Sequence, residues 1–527
     1  MPTRHRFFLP YLLFTTILCG GLVMVIEVLG SRVIGPVFGV SLFVWTSLIT
    51  VTMVSLAIGY GLGGWLADRY PSPHTLYLLI FIAGVYCLLI PWIREPVLFF
   101  SLPMGLRFGA LTASALLFAF PLMLLGCVSP YVVRLVAHEI KHLGRTVGYL
   151  YAASTVGSVA GTVVTGFFLI ALLGIDRIFF IVGVLLVLCC VGYFFMVGRW
   201  GIAFLGTMTL FAAMISGTAQ AKQSVVLENG SRATLVDHIE SYYGSLRLIN
   251  YTFDNKHTRE MEIDGLFQGG IDVGSGLATH QYFYYLQFLP RAYHPKGENV
   301  LMVGLGAGLI PKWFAEHGLE VTAIDIDANV VDFSRRYFNL PSSVNVIIGD
   351  ARHLLMTKTE SYDYVLVDVF NGDTTPSHLV SRQAFSLMAQ RLSPMGVLAM
   401  NLIGWVDGKD PAINAIVKTL SMIFDTVHVH PASMPEENDT IGNVILVAYN
   451  GPPRTMDTSV LQTEAVHPIA QHLVYNHLTR TVTIPRQHLE SAPILDDDYN
   501  PVDFLGMPVK EAVRQMIIEG MSARRLR

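Results

Sequence analysis

Two hydrophobic rhythms divide the chain. Long apolar runs recur at roughly 7–29, 40–66, 75–93, 108–133, 147–173, 178–197 and 201–219, separated by short polar turns. Each is near the ~20 residues that a helix needs to cross ~30 Å of hydrocarbon, so the pattern predicts a bundle of about seven spanning helices over residues 1–220. After residue 221 the runs shorten. Strand-like alternation covers Tyr243–Tyr251, and Glu260–Gln268 continues it with a turn at Asp264-Gly265, predicting a small β-rich lead-in over 221–298.

From Asn299 onward, strand and helix alternate. Asn299–Val303, Glu320–Ile324, Val344–Ile348 and Tyr364–Asp368 read as strands, and Leu309–His317 and Ala328–Phe338 as helices. Further units follow over Ser381–Arg391, Gly396–Leu402 and Pro411–Phe424. Residues 299–527 therefore read as a doubly wound α/β, Rossmann-like domain, in which ligands lie at the carboxyl ends of the strands.

Charge follows the same division. Residues 1–220 hold 11 basic and five acidic side chains, whereas 221–527 hold 24 basic and 34 acidic ones. A net charge of about +6 on the first part and −10 on the second excludes a uniformly soluble protein. With 52% hydrophobic residues the chain is not disordered, and an acidic soluble part disfavours nucleic acid as a partner and suits cationic ligands. The expected location is the cell (inner) membrane, as a multi-pass protein in the lipid bilayer. Cys19, Cys87, Cys127, Cys189 and Cys190 all lie in the apolar part, without metal spacing or a disulfide framework.

Membrane topology pulls two ways. With the N-terminus inside, inner loops hold Arg4, Arg6, Arg69, Arg134, Lys141, Arg145 and Arg199, against Arg32, Arg94, Arg107 and Arg177 outside. Seven spans then place the soluble domain outside, and six place it inside. The deciding segment is 201–219, which small and hydroxylated residues dilute and which ends in Ala-Gln-Ala. Ala153, Gly157, Gly161 and Thr165 line small residues along one helix face, as Gly59 and Gly63 do, which serves close helix packing. Glu27 is the acidic residue within a span, either reaching the interface or pairing with a base such as Arg32. The stretch Gly63–Arg69 resembles a loop of major-facilitator transporters. Their two six-helix halves exceed the span count here.

Chemistry concentrates in loops at the strand ends. Gly304, Gly306 and Gly308 follow the first strand and open a helix, where bare backbone and free N–H groups can approach a ligand. Asp325 ends the second strand 17 residues after Gly308, placed to accept both hydroxyls of a ribose. Asp350 and Ala351 end the third, where a carboxylate can accept from an adenine amino group. In order, these loops point to an S-adenosyl ligand. The fourth strand ends at Asp368, and Asp373 follows on the same loop. Two carboxylates beside an adenosyl site can hold an ammonium group and take a proton from it.

With these loops, residues of about 235–505 resemble the polyamine aminopropyltransferase (spermidine/spermine synthase) family, and the whole chain resembles its membrane-fused bacterial members. The matching residues are Asp264-Gly265 with Gln268, Tyr282 placed 22 residues before Gly304, the three nucleoside loops, Asp368 to Pro376, and the tail from Leu495 to Pro501. The resemblance implies a fold of the S-adenosylmethionine-methyltransferase type. It implies that Gln268, Asp325, Asp350 and Ala351 bind the adenosyl moiety, that Tyr282 and Asp373 line an amine pocket, and that Asp368 accepts the proton. The implied reaction moves an aminopropyl group from decarboxylated S-adenosylmethionine to an amine such as putrescine, releasing methylthioadenosine, with no metal and no tightly bound cofactor. A homodimer is compatible with it.

Several positions depart from the family pattern. Ala307 stands where an Asp usually grips the donor's propylamine, and Phe283 where a His or Gln follows the tyrosine. The Asp-x-x-Asp gate is lengthened to Asp368 and Asp373, and Glu436 takes the place of a later pocket tyrosine. Without a carboxylate at 307, either Glu436 or Glu437 compensates or the donor is ordinary S-adenosylmethionine. The leading expectation is a membrane-anchored aminopropyltransferase-like enzyme. Its rivals are a methyl- or alkyltransferase acting on a membrane-associated substrate and a transporter or sensor with a non-catalytic adenosyl-binding domain.

Overall fold

The structure is a computed structural model, and it describes residues 8–39, 42–136, 143–217, 224–227, 230–254, 256–370, 375–434 and 440–519. The chain forms two compact units, Met1–Ala221 and Lys222–Arg527.

The first unit is helical. Among the described residues five helical stretches are long and apolar enough to cross a membrane: Phe8–Phe38, Phe43–Arg69, Pro73–Val136, Gly144–Leu169 and Ile175–Met196. The third, at 64 residues, is far longer than one crossing needs. It breaks at the 3-10 turn Leu102–Met104, after which Gly105 takes a φ of +75° that favours glycine. The apolar runs at 75–93 and 108–133 lie on either side of this break. After Gly198, also at φ +75°, Trp200–Gly217 returns along the preceding helix, with Gly206 facing Val191.

Small residues set the tightest packing. At Gly157 a Cβ would lie 2.0 Å from the carbonyl oxygen of Ile17, and at Gly161 2.3 Å from that of Gly21, so any larger side chain would separate the two helices. Ion pairs tie helices together: Arg94 to Asp176 at 2.9 Å and Arg134 to Asp68 at 3.0 Å.

The second unit holds two sheets. The smaller, antiparallel throughout, runs in order β1 (Ser224–Val226), β2 (Arg232–Glu240), β3 (Ser245–Phe253), β4 (Lys256–Ile263) and β5 (Leu266–Asp272). Asp264 and Gly265 join β4 to β5 with φ of +49° and +75°, the left-handed pair that a two-residue hairpin turn requires. The lead-in is not wholly β. Residues Tyr282–Tyr293 form a helix whose aromatic residues are nearly all buried, so apolar character on every side hides its period.

The larger sheet comprises β6 (Asn299–Val303), β7 (Glu320–Asp325), β8 (Asn345–Ile348), β9 (Tyr362–Val367), β10 (Leu392–Trp405), β11 (Thr426–Pro431) and β12 (Ile441–Tyr449). Its order is β11-β12-β10-β9-β6-β7-β8. The strands from β8 to β10 are parallel, and β12 and β11 add antiparallel pairs at the other edge. Alternate side chains of β6 enter different cores: Val300 and Met302 join the helix 282–293 and the smaller sheet, while Leu301 and Val303 join the opposite face. Both faces are covered, which is why these strands read as continuous apolar runs. From β6 the chain first builds outward to β7 and β8, then crosses back to β9. Strand order thus reverses between β6 and β9, opening a crevice at their carboxyl ends.

Candidate active site

At that crevice, Gly304 and Asp368 meet. The Asp368 N–H donates to the carbonyl of Val303 at 2.9 Å, and a Cβ on Gly304 would lie 2.2 Å from the Asp368 carbonyl oxygen. Gly304, Gly306 and Gly308 have φ of +88°, +52° and +75°, so the loop after β6 takes a left-handed path before the helix Leu309–Glu316. Asp325 braces this loop: one oxygen accepts from the N–H of Leu305 and the other from that of Asp327, both at 2.9 Å. Burial pushes its pKa up against these N–H donors. Asp350 closes β8, and its Oδ1 accepts from the His353 N–H at 2.8 Å, capping the helix Ala351–Thr357. One of its two oxygens is thus committed to capping the helix.

Above these loops lies the β2–β3 turn, tied down by the Ser241 hydroxyl donating to Asp327. It brings Tyr243 into the field of Asp327, Asp325 and Asp350, which with desolvation as the larger cause raises its pKa.

Asp368 sits deeper. Asn401 Nδ2 donates to its Oδ1 at 2.8 Å, and the Asn443 amide donates in turn to Asn401 at 3.0 Å. The Tyr282 hydroxyl is a further hydrogen-bond partner of its carboxylate. Desolvation outweighs both donors and pushes the Asp368 pKa to about 6. Burial, with the Asp368 and Glu260 carboxylates, holds the Tyr282 phenol well above its usual range. The Tyr282 ring stacks on Phe283 with centroids 4.4 Å apart.

Sequence reasoning missed two of these neighbours. Asn401 is the polar residue within the apolar run of β10, and that interruption was the available signal. Glu260 is buried on β4, accepting from the Thr279 hydroxyl at 3.0 Å and pairing with His280 Nε2 at 3.0 Å. Its partners come from beyond β5, so no local motif marks it.

Gln268 supplies its backbone carbonyl to the Ala307 N–H at 3.4 Å, while its side chain turns to the Leu266 carbonyl. Ala307 is fully buried. At Gly269 a Cβ would lie 2.7 Å from the Ala307 methyl and 3.0 Å from the Phe283 ring, so this wall of the crevice is apolar. Asp373, Glu436 and Glu437 lie outside the described residues. The tail that resembles the family's is a clasp: Arg352 binds Asp497 through two N–H groups, and Arg382 pairs with Asp496 at 2.8 Å. Among the described residues, no group of three or more His, Cys, Asp or Glu side chains forms a metal site.

Residues 279–450, which carry the glycine loop, Asp325, Asp350 and Asp368, match the model of the spermine/spermidine synthase domain. A stretch similar to the spermine/spermidine synthase domain is thus recognised within the second unit. It is 31% identical over 164 residues to an N-terminal histidine N-methyltransferase of Emericella nidulans, covering 30% of this chain and 29% of that protein. It is 37% identical over 116 residues to a polyamine aminopropyltransferase of Vibrio vulnificus, covering 21% and 39%. The chain thus spans between 29% and 39% of the length of these curated relatives. A crystal structure of a probable spermidine synthase from Corynebacterium glutamicum aligns with a TM-score of 0.39 at 19% identity, over 50% of this chain and 95% of that one.

Proposed function

We propose that the second unit transfers an alkyl group from an S-adenosyl donor to an amine nitrogen, with Asp368 as the base. The reading is that of an aminopropyltransferase, using decarboxylated S-adenosylmethionine and an amine such as putrescine. The observation that carries it is the Asp368 carboxylate, raised to about 6 beside Tyr282 at the strand-order reversal. A group with that pKa is largely ionised at neutral pH and takes up a proton readily.

In this reading Gly304, Gly306 and Gly308 admit the donor's tail, Asp325 accepts from the ribose, and Asp350 with Ala351 receives the adenine. Tyr282 orients Asp368 and lines the amine pocket. The neutral amine nitrogen attacks the methylene carbon bonded to the sulfonium. A new C–N bond forms, the C–S bond breaks with its electron pair left on sulfur, and neutral methylthioadenosine departs. The proton released by the nitrogen goes to Asp368.

One observation favours a second reading. With Ala307 buried against Gly269 and Phe283, the wall that should hold a cationic propylamine is apolar. Ordinary S-adenosylmethionine as donor and methyl transfer to a nitrogen acceptor accommodate this, in keeping with the relative that methylates an N-terminal histidine. The first unit then serves to hold the enzyme at a lipid bilayer. Separate incubations with each donor, followed by mass spectrometry of the products, test between the two: methylthioadenosine marks aminopropyl transfer and S-adenosylhomocysteine marks methyl transfer.

A further inference from the structure

We propose that His378 is a nucleobase-recognition residue that, paired with Asp350, reads one edge of an adenine; this rests on the adenosyl reading above. Asp350 has one oxygen committed to capping, as its Oδ1 accepts from the His353 N–H. The other, Oδ2, faces His378 Nε2 at 3.5 Å. A carboxylate facing Nε2 favours the tautomer that carries its proton there. At 3.5 Å the Nε2–H is not committed to the carboxylate, so the pair presents an acceptor and a donor side by side. Both side chains remain open, at 49% exposure for His378 and 44% for Asp350, so a ligand can reach them.

The position of the ring is set by its surroundings. His378 sits in the 3-10 turn Ser377–Leu379, downstream of the gate. Arg352 Nη1 donates to its carbonyl at 2.7 Å, and Asn500 Nδ2 donates to the carbonyl of Ser377 at 2.9 Å. Ser381 binds Asp497 at 2.6 Å, and Asp497 binds Arg352, so the tail clasps the turn on both sides.

Adenine carries an amino donor beside the N7 acceptor, the complement of a carboxylate oxygen beside an imidazole N–H. Hypoxanthine and guanine carry an oxygen in place of that amino group and would set acceptor against carboxylate. His378 and Asp350 together would thus select adenine, with His378 responsible for N7.

Calorimetry of the full chain in detergent with methylthioadenosine, its 7-deaza analogue and methylthioinosine tests this. His378→Ala is expected to weaken methylthioadenosine binding about tenfold, the order of one lost hydrogen bond. The parent should lose a similar factor on the 7-deaza analogue, the variant should lose nothing further, and methylthioinosine should bind the parent poorly. His378→Gln, which keeps an N–H donor, should retain discrimination at N7. A variant that binds methylthioadenosine like the parent, or still discriminates N7 by the parental factor, overturns the inference alone. A parent that binds none of the three nucleosides overturns the adenosyl reading with it.

Discussion

Asn401 holds Asp368: the amide of one donates to the carboxylate of the other at 2.8 Å, across neighbouring parallel strands. Asn443 fixes Asn401 from β12, so the proposed base is oriented by a chain of amides rooted in the sheet.

The amide donor also lowers the Asp368 pKa, against the larger effect of burial. Turnover requires the ionised carboxylate, so it should be lost as pH falls through about 6. Asn401→Ala removes a donor to the charged form. The acidic limb should move to higher pH and turnover at neutral pH should fall by roughly ten- to a hundredfold. An unmoved limb in the pH–rate profile would assign it to another group.

Asp325→Ala should weaken methylthioadenosine binding by about 1–3 kcal/mol, because it removes hydrogen bonds from a desolvated carboxylate and also loosens the loop at Leu305. Calorimetric affinity measures this directly, and an unchanged value removes Asp325 from the ribose site.

His430 gives a stability prediction. It is buried, with Nε2 at 3.0 Å from the Tyr293 hydroxyl, and desolvation lowers its pKa from 6.5 to about 4. The unfolded chain takes up this proton below about pH 6.5 and the folded chain not until about 4. Its contribution is therefore complete above pH 6.5 and is lost as pH falls toward 4. Thermal unfolding of His430→Gln should show a weaker pH dependence across that window; parallel curves for parent and variant would rule His430 out.

Topology is tested by cysteine labelling. Trp200–Gly217 turns back at Gly198 and lies along the helix Ile175–Met196, and its 18 residues rise about 27 Å. Trp200→Cys and Val225→Cys should therefore label from opposite sides of the membrane, against five native cysteines that are all buried. Labelling from the same side would mean that the segment does not span.

Much of this was legible in the sequence because the relevant signals are local. Glycine loops and strand-end carboxylates mark the crevice, since a strand in a parallel sheet must end there. Asn401 and Glu260 were not legible in the same way. Both depend on partners distant in sequence, at Asp368 and at Thr279 and His280. The helix 282–293 hid because burial on all sides erases the period that exposes an amphipathic helix. The break at Leu102–Met104 rests on one glycine between two apolar runs.

The most direct test of the central claim is product analysis of the purified full chain supplied with putrescine and decarboxylated S-adenosylmethionine. Spermidine and methylthioadenosine are expected in equal amounts, with turnover reduced about 10²–10⁴-fold by Asp368→Asn while methylthioadenosine still binds. No spermidine with this donor, together with S-adenosylhomocysteine formed from ordinary S-adenosylmethionine, would contradict it.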